Sequence, residues 1–79
     1  MPDIRPTALA DGSVVHSDPD IMGGTPIFVG TRVPVQTLIE HLHGGYTIDG
    51  FLEQFPTVRR EQVDRFLDQA TDAYLQQVA

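Results

Sequence analysis

The sequence has 79 residues, with five arginines, no lysine, eleven acidic residues and a formal net charge of −6. A chain this short builds one small core, which seldom contributes more than about 3–5 kcal/mol, so we expect a homodimer or a bound partner to add stability. The absence of cysteine excludes disulfides and thiolate metal sites and favours the reducing cytoplasm. The anionic balance disfavours non-specific binding of nucleic acid, because neutralised phosphates provide most of that affinity.

The first 34 residues predict an arm followed by short β segments. Residues 1–13 contain two prolines and little periodicity, so we expect a mobile arm without a signal-peptide pattern. Residues 14–34 contain two β-favouring runs, at 14–16 and 27–29, separated by turn dipeptides. These runs predict a small two-stranded ribbon. No apolar run reaches the ~18 residues that would span a membrane.

After this ribbon the apolar spacing changes from two residues to about 3.6, which predicts helices. The first helix begins after Pro34 and ends at Gly44. The second helix follows Thr47, a candidate N-cap, and ends at Pro56.

A third and longest helix is predicted by an apolar stripe made of Val63, Phe66, Leu67, Ala70, Tyr74, Leu75 and Val78. Each predicted helix is apolar on one side only, so all three stripes are expected to pack on one core. The sequence therefore predicts a mainly α fold, with a three-helix bundle at residues 35–79 and a single domain at residues 14–79.

The second and third helices, joined by a sharp turn at Pro56, have the anatomy of a helix-turn-helix, although many helical hairpins that never touch DNA share this pattern. In a recognition helix, Arg59, Arg60 and Gln62 would meet DNA phosphates or the acceptor edge of guanine. Alternatively, both arginines are only solvated. Arg32 is a further candidate for binding phosphate or carboxylate, unless it hydrogen-bonds the carbonyls of its own turn.

An acidic row on the third helix predicts a protein partner. Asp64, Asp68 and Asp72 are spaced four residues apart, and like-charge neighbours at this spacing destabilise an isolated helix by a few tenths of a kcal/mol each. We expect the row to face a positively charged surface of a protein partner. The alternative is a solvated face that keeps the protein soluble.

The apolar run Ile27, Phe28 and Val29 predicts a second contact surface. Three apolar residues in succession require cover on both faces of a strand. We expect this run in a homodimer interface or beneath a partner, unless the helices of the same chain cover it.

No constellation in the sequence predicts catalysis, a cofactor or a metal ion. His41 and His43 lie two residues apart on a helix and point to different sides. Ser13 and Ser17 lack a base and an orienting carboxylate nearby. The sequence therefore predicts a binding protein and not an enzyme.

Residues 14–70 resemble a small bacterial family known as domain of unknown function 433. The resemblance is carried by Gly23-Gly24-Thr25-Pro26, Gly30-Thr31-Arg32-Val33-Pro34, Gly44-Gly45 and Phe55-Pro56. It implies a homeodomain-like helical fold, often dimeric and without catalytic activity. It also implies an antitoxin similar to the VapB type, encoded beside a PIN-like ribonuclease toxin. With such a toxin, the row of Asp64, Asp68 and Asp72 would face the positive RNA groove or the toxin surface beside it.

The sequence departs from the family pattern at three positions. Thr25 and Val29 stand where relatives often carry a basic residue, so two phosphate contacts are missing. Arg59 stands where relatives usually have a serine or threonine that caps the third helix. Thr57 is expected to cap instead, with the helix beginning at Val58.

The sequence favours two functions over the others. The first is an antitoxin of a type II toxin–antitoxin system, which inhibits a PIN-like ribonuclease and regulates its own operator DNA. The second is a stand-alone DNA-binding regulator without a toxin. A third interpretation, an adaptor that joins larger proteins, is also open.

Overall fold

The computed structural model describes residues 6–78. In chain order it contains β1 (Val15–His16), a short 3₁₀ turn (Met22–Gly24), β2 (Ile27–Phe28), α1 (Val35–His43), α2 (Ile48–Gln54) and α3 (Arg60–Val78). The prediction of a mainly helical fold with three helices and a small ribbon is confirmed. None of the helices in residues 6–78 is long and apolar enough to cross a membrane.

The ribbon is antiparallel, with Val15 opposite Phe28 and His16 opposite Ile27. Each strand has two residues, so the ribbon is shorter than the predicted runs. The connection between the strands passes through Gly23 and Gly24, whose φ angles of +64° and +89° favour glycine. The ribbon packs against the helices through Phe28 of β2.

The predicted limits of α1 and α2 are confirmed. Pro34 precedes α1 and Gly44 follows it, with Gly45 at a φ of +88°. The Thr47 hydroxyl accepts a hydrogen bond of 3.0 Å from the Gly50 backbone N–H, which caps α2. Both helices thus begin and end where local sequence chemistry predicts.

His41 connects α1 to α2. Its Nε2 lies 2.9 Å from Gln54 Oε1, and its Nδ1 lies 2.9 Å from the Thr37 carbonyl oxygen. Its ring packs edge-on against Phe51 and Phe55, with centroids 5.6 and 5.5 Å away. This histidine is therefore part of the packing between two helices.

The core lies between β2 and the three helices. Phe28 is fully buried, with its ring centroid 6.4 Å from that of Phe51 and 6.1 Å from that of Phe66. The remaining members of the buried cluster are Val33, Val35, Leu38, Val58 and Val63.

The apolar run of β2 belongs to this core. Ile27 and Phe28 are 0% exposed and Val29 is 4% exposed within the single chain. The expectation that they contact a partner is therefore corrected, because the chain's own helices and amino-terminal residues cover both faces of the strand.

The third helix begins at Arg60, two residues after the predicted Val58. Arg59 N–H donates to Gln62 Oε1 at 3.0 Å, and the Arg59 carbonyl accepts from the Gln62 backbone N–H at 3.0 Å. The bond from the Arg59 backbone N–H to the Gln62 side chain is one half of a capping box. Gln62 thus satisfies the helix end without the predicted cap at Thr57.

Only the first half of α3 packs on the core, which corrects the prediction of one continuous buried stripe. Val63 is fully buried and Phe66 and Leu67 are half-buried, whereas every residue from 68 to 78 is exposed. We call residues 68–78 the α3 arm. Within residues 6–78, the amino-terminal turn reaches the first part of this segment, where Gln69 Nε2 donates to the Gly12 carbonyl at 3.3 Å.

The described part of the predicted amino-terminal arm lies against α3. Gly12 N–H donates to the Leu9 carbonyl at 2.9 Å, and the Thr7 and Gly12 carbonyls accept hydrogen bonds from Gln62 and Gln69. Residues 1–5 lie outside the described residues. The mobility of the amino-terminal residues 1–13 stays a prediction.

Candidate partner-binding and DNA-binding surfaces

Gln62, a predicted DNA contact, is a structural residue. It is 1% exposed, and its Nε2 donates to the Thr7 carbonyl at 3.0 Å and to the Val29 carbonyl at 2.9 Å. Its Oε1 accepts from the Arg59 N–H. Because its amide is engaged on both atoms and buried, the DNA-binding prediction for Gln62 is corrected. Nothing in the sequence around Gln62 indicates that its side chain would bind carbonyls 55 and 33 residues away.

Arg60 is exposed and forms an ion pair with Asp49, which lies in the first turn of α2. The carboxylate is well placed there, since it also faces the positive end of the α2 dipole. An exposed pair of this kind adds little stability, but it offsets the charge that Arg60 would offer to a phosphate.

Arg32 lies in the turn between β2 and α1, and Arg59 lies in the turn between α2 and α3; these two turns lie side by side. Arg32 lines an open cavity of about 490 Å³, and Arg59 lines an adjoining one of about 240 Å³. Gly30 and Thr57 line both cavities. The structure therefore brings these two predicted contacts into one region, with both side chains exposed.

Thr31 ties down the turn that carries Arg32. Its hydroxyl donates to the Phe28 carbonyl at 2.8 Å and accepts from the Val33 N–H at 3.0 Å. A threonine hydroxyl between a strand and a proline is a typical turn-forming feature. Sequence reasoning assigned no role to Thr31, although its position in the Gly-Thr-Arg turn was a usable signal.

The predicted acidic row lies on the exposed surface of α3. Asp64, Asp68 and Asp72 are all exposed, and Glu61 adds a fourth carboxylate to the same helix. Two arginines, Arg60 and Arg65, oppose these four charges, so α3 carries a net charge of −2. The helix that would enter a DNA groove therefore repels phosphate overall.

The α3 arm carries an exposed apolar stripe beyond the acidic row. Tyr74, Leu75 and Val78 are 64%, 54% and 63% exposed. Residues 73–78 contain no charged side chain. The arm thus combines exposed carboxylates with three large apolar side chains that no described residue covers.

No cluster of metal-ligating side chains occurs within residues 6–78. Among the ionisable groups, the Ser13 backbone N–H, 2.9 Å from the Asp11 carboxylate, and the Ser13 hydroxyl lower the pKa of Asp11. Asp11 is exposed and lies in the turn whose Gly12 carbonyl accepts a hydrogen bond from Gln69 of α3. The surfaces of the described chain thus offer binding chemistry through charge and apolar area.

Comparison with known proteins places this arrangement in a family. The family model "Protein of unknown function (DUF433)" matches residues 15–70. An uncharacterized protein of Sinorhizobium fredii, y4eO, is 40% identical over 50 residues, which are 63% of this chain and 23% of the relative. The chain thus spans about a quarter of the length of that relative.

No solved structure matches the chain. The family match covers the ribbon, α1, α2 and the packed half of α3, and it confirms the family resemblance of the glycine and proline turns. The chain belongs to the DUF433 family.

Proposed function

We propose that the chain is an antitoxin of a type II toxin–antitoxin system, which binds and inhibits a PIN-like ribonuclease. The observation that carries the proposal is the exposed acidic row of α3, together with the net charge of −6 on the whole chain. The DUF433 pattern of the sequence, which implies a VapB-type antitoxin, supports it.

The charge of α3 favours a basic protein over DNA. Arg60 is already paired with Asp49, and Arg65 is the other cation on a helix that carries four carboxylates. Phosphate neutralisation drives DNA binding, and this surface neutralises few phosphates. A positively charged RNA groove would attract the same surface and accelerate association.

Inhibition follows from occupying the groove. The carboxylates of Asp64, Asp68 and Asp72 repeat every ~6 Å along the helix axis, because each is one turn from the next. They present a line of anionic groups to a surface built to hold an RNA backbone. An RNA substrate and the antitoxin would then compete for the same cations.

The test is co-purification with the ribonuclease encoded by the adjacent gene, followed by an RNA cleavage assay on the mixture. We expect a stable complex in which cleavage is suppressed. The variant Asp64→Lys, Asp68→Lys, Asp72→Lys should weaken association by about 10-fold or more at low salt, because it reverses the sign of the contact surface. A full-strength complex with this variant would contradict the role of the row.

DNA binding by the same chain is the second candidate, and the shared region of Arg32 and Arg59 favours it. In this alternative the α2–turn–α3 unit is a homeodomain-like helix-turn-helix that contacts operator DNA, alone or with the toxin. Binding of upstream DNA by the isolated chain should fall steeply with salt. Arg32→Gln with Arg59→Gln should reduce the slope of that dependence, since each arginine neutralises a phosphate.

A homodimer is part of the DNA-binding proposal, since paired DNA half-sites require two copies. The β2 residues on which the predicted interface rested are core residues. Light scattering of the isolated chain tests whether another surface pairs two copies. A mass of one chain at all concentrations would contradict the dimer.

A further inference from the structure

The α3 arm lacks the packing that normally supports a short helix. It consists of eleven residues, all exposed, and it continues a helix whose first half is buried. Isolated helices shorter than about 12–15 residues are marginal in water, and most helical stability comes from a packed apolar face. Exposed apolar side chains grouped on one face mark a contact site.

The arm has a defined apolar face. At about 100° per residue, Tyr74 and Val78 lie within about 40° of each other and of Leu67, which is half-buried at the edge of the core. Leu75 widens this face on one side. The exposed stripe is thus continuous with the stripe that packs on the core.

One border of the stripe is acidic and the other is neutral. Asp68 and Asp72 lie on the same side as Leu75, about 120° and about 160° from Tyr74. The opposite border carries Ala73 and Gln77, which have no charge. This asymmetry fixes the orientation in which a charged groove would accept the arm.

We propose that the α3 arm inserts into an apolar groove of a protein partner whose rim is basic along one side. The inference rests on the proposed function, in which that partner is the ribonuclease. Tyr74, Leu75 and Val78 enter the groove, and Asp68 and Asp72 contact the basic rim. This is the helix-in-groove mode of recognition, with anchors spaced one turn apart.

Charge argues for this occupant against a second copy of the chain. Each copy carries a net charge of −6, and two arms side by side would bring acidic borders of the same sign together. Stable interfaces bury about 800 Å² on each partner, and three large side chains on one narrow face contribute only part of that. A groove encloses more of the helix and supplies the opposite charge.

The family match ends at residue 70, before all three anchors. The fold shared with the family is therefore complete without them. The arm can determine which partner is bound without altering the core.

The test compares the wild-type chain with Tyr74→Ser, Leu75→Ser, Val78→Ser in calorimetric titrations against the ribonuclease encoded beside it. The dissociation constant should rise by about 100-fold or more, as expected for buried aromatic and aliphatic anchors. The matched control, Ala73→Ser with Gln76→Ser, places serines on the far side of the arm and leaves the hydrogen bond between Gln69 and Gly12 intact. It should change the dissociation constant by less than about 3-fold.

The outcomes separate the two proposals. If the wild-type chain binds and both serine variants bind equally well, the arm does not insert, although the antitoxin function stands. If the wild-type chain forms no complex, the proposed function fails and this inference fails with it. An isolated chain that is dimeric in light scattering, and monomeric with the three anchors replaced, would show that a second copy occupies the stripe and would overturn the inference.

Discussion

The two halves of α3 have the same apolar periodicity, but the first half packs on the core and the second half is exposed. In the first half, Gln62 and Val63 are buried and tied to the ribbon and the amino-terminal residues. In the second half, Tyr74 continues the same stripe and is 64% exposed. An apolar stripe therefore identifies the face through which a helix packs, but not whether it packs on its own chain or on a partner.

The largest expected effect comes from placing a charge in each half. Val63→Asp buries an unpaired carboxylate, which costs more than the ~3–5 kcal/mol that a core of this size contributes, so the chain should unfold. Tyr74→Asp, at the equivalent place on the exposed stripe, should change the free energy of unfolding by less than about 0.5 kcal/mol. Circular dichroism with urea titration measures both. Similar losses in the two variants would remove the distinction between the halves.

A smaller effect is expected from the buried amide. Gln62→Leu keeps the approximate volume but leaves the Val29 carbonyl without its 2.9 Å donor. An unsatisfied buried acceptor costs about 1–3 kcal/mol, which should lower the urea midpoint. The control Gln76→Leu in the arm should leave the free energy of unfolding within about 0.5 kcal/mol of wild type. A neutral Gln62→Leu would mean that the hydrogen bonds of Gln62 do not hold the first half in place.

Relief of repulsion in the acidic row should be smaller still. Asp72→Asn removes one like-charge contact, with Asp68, and no arginine lies three or four residues from Asp72, so the free energy of unfolding should rise by about 0.2–0.5 kcal/mol. Aspartate and asparagine have similar helix propensities, so the charge is the main change. The gain should disappear in thermal melts at about 1 M salt, where the Debye length is about 3 Å. A gain that persists at high salt would point to a cause other than charge.

The smallest effect concerns pH. Hydrogen bonds from Ser13 lower the pKa of Asp11 in the folded chain below its ordinary value of 3.8. The folded state thus favours the carboxylate, so its contribution is present above the ordinary pKa and is lost as pH falls through the folded pKa. Asp11→Asn should flatten this part of the acid-unfolding curve. An unchanged curve would show that the turn at residues 9–13 does not depend on that charge.

The sequence predicted those features that depend on local chemistry. Pro34, Gly44 and Thr47 mark helix ends through their own backbone and hydroxyl groups, and the limits of α1 and α2 are confirmed. The start of α3 was wrong because its cap is the Gln62 side chain, which reaches back to Arg59.

Features that depend on distant contacts could not be predicted in this way. The burial of Ile27 and Phe28 within the chain depends on how the helices pack on the ribbon. Three successive apolar residues predict that a strand is covered on both faces, but not whether the same chain or a partner covers it. The burial of Gln62 depends on carbonyls 33 and 55 residues away. Of the candidate site, the exposure of Arg32, Arg59 and the acidic row agrees with the sequence pattern.

The most direct test of the difference between the two halves is amide hydrogen exchange on the isolated chain, resolved by residue with NMR. We predict that the amides of residues 63–67 exchange only through global unfolding, whereas those of residues 73–78 exchange orders of magnitude faster through local opening. Equal protection along the whole of α3 in the isolated chain would contradict the account, because the arm would then already be packed.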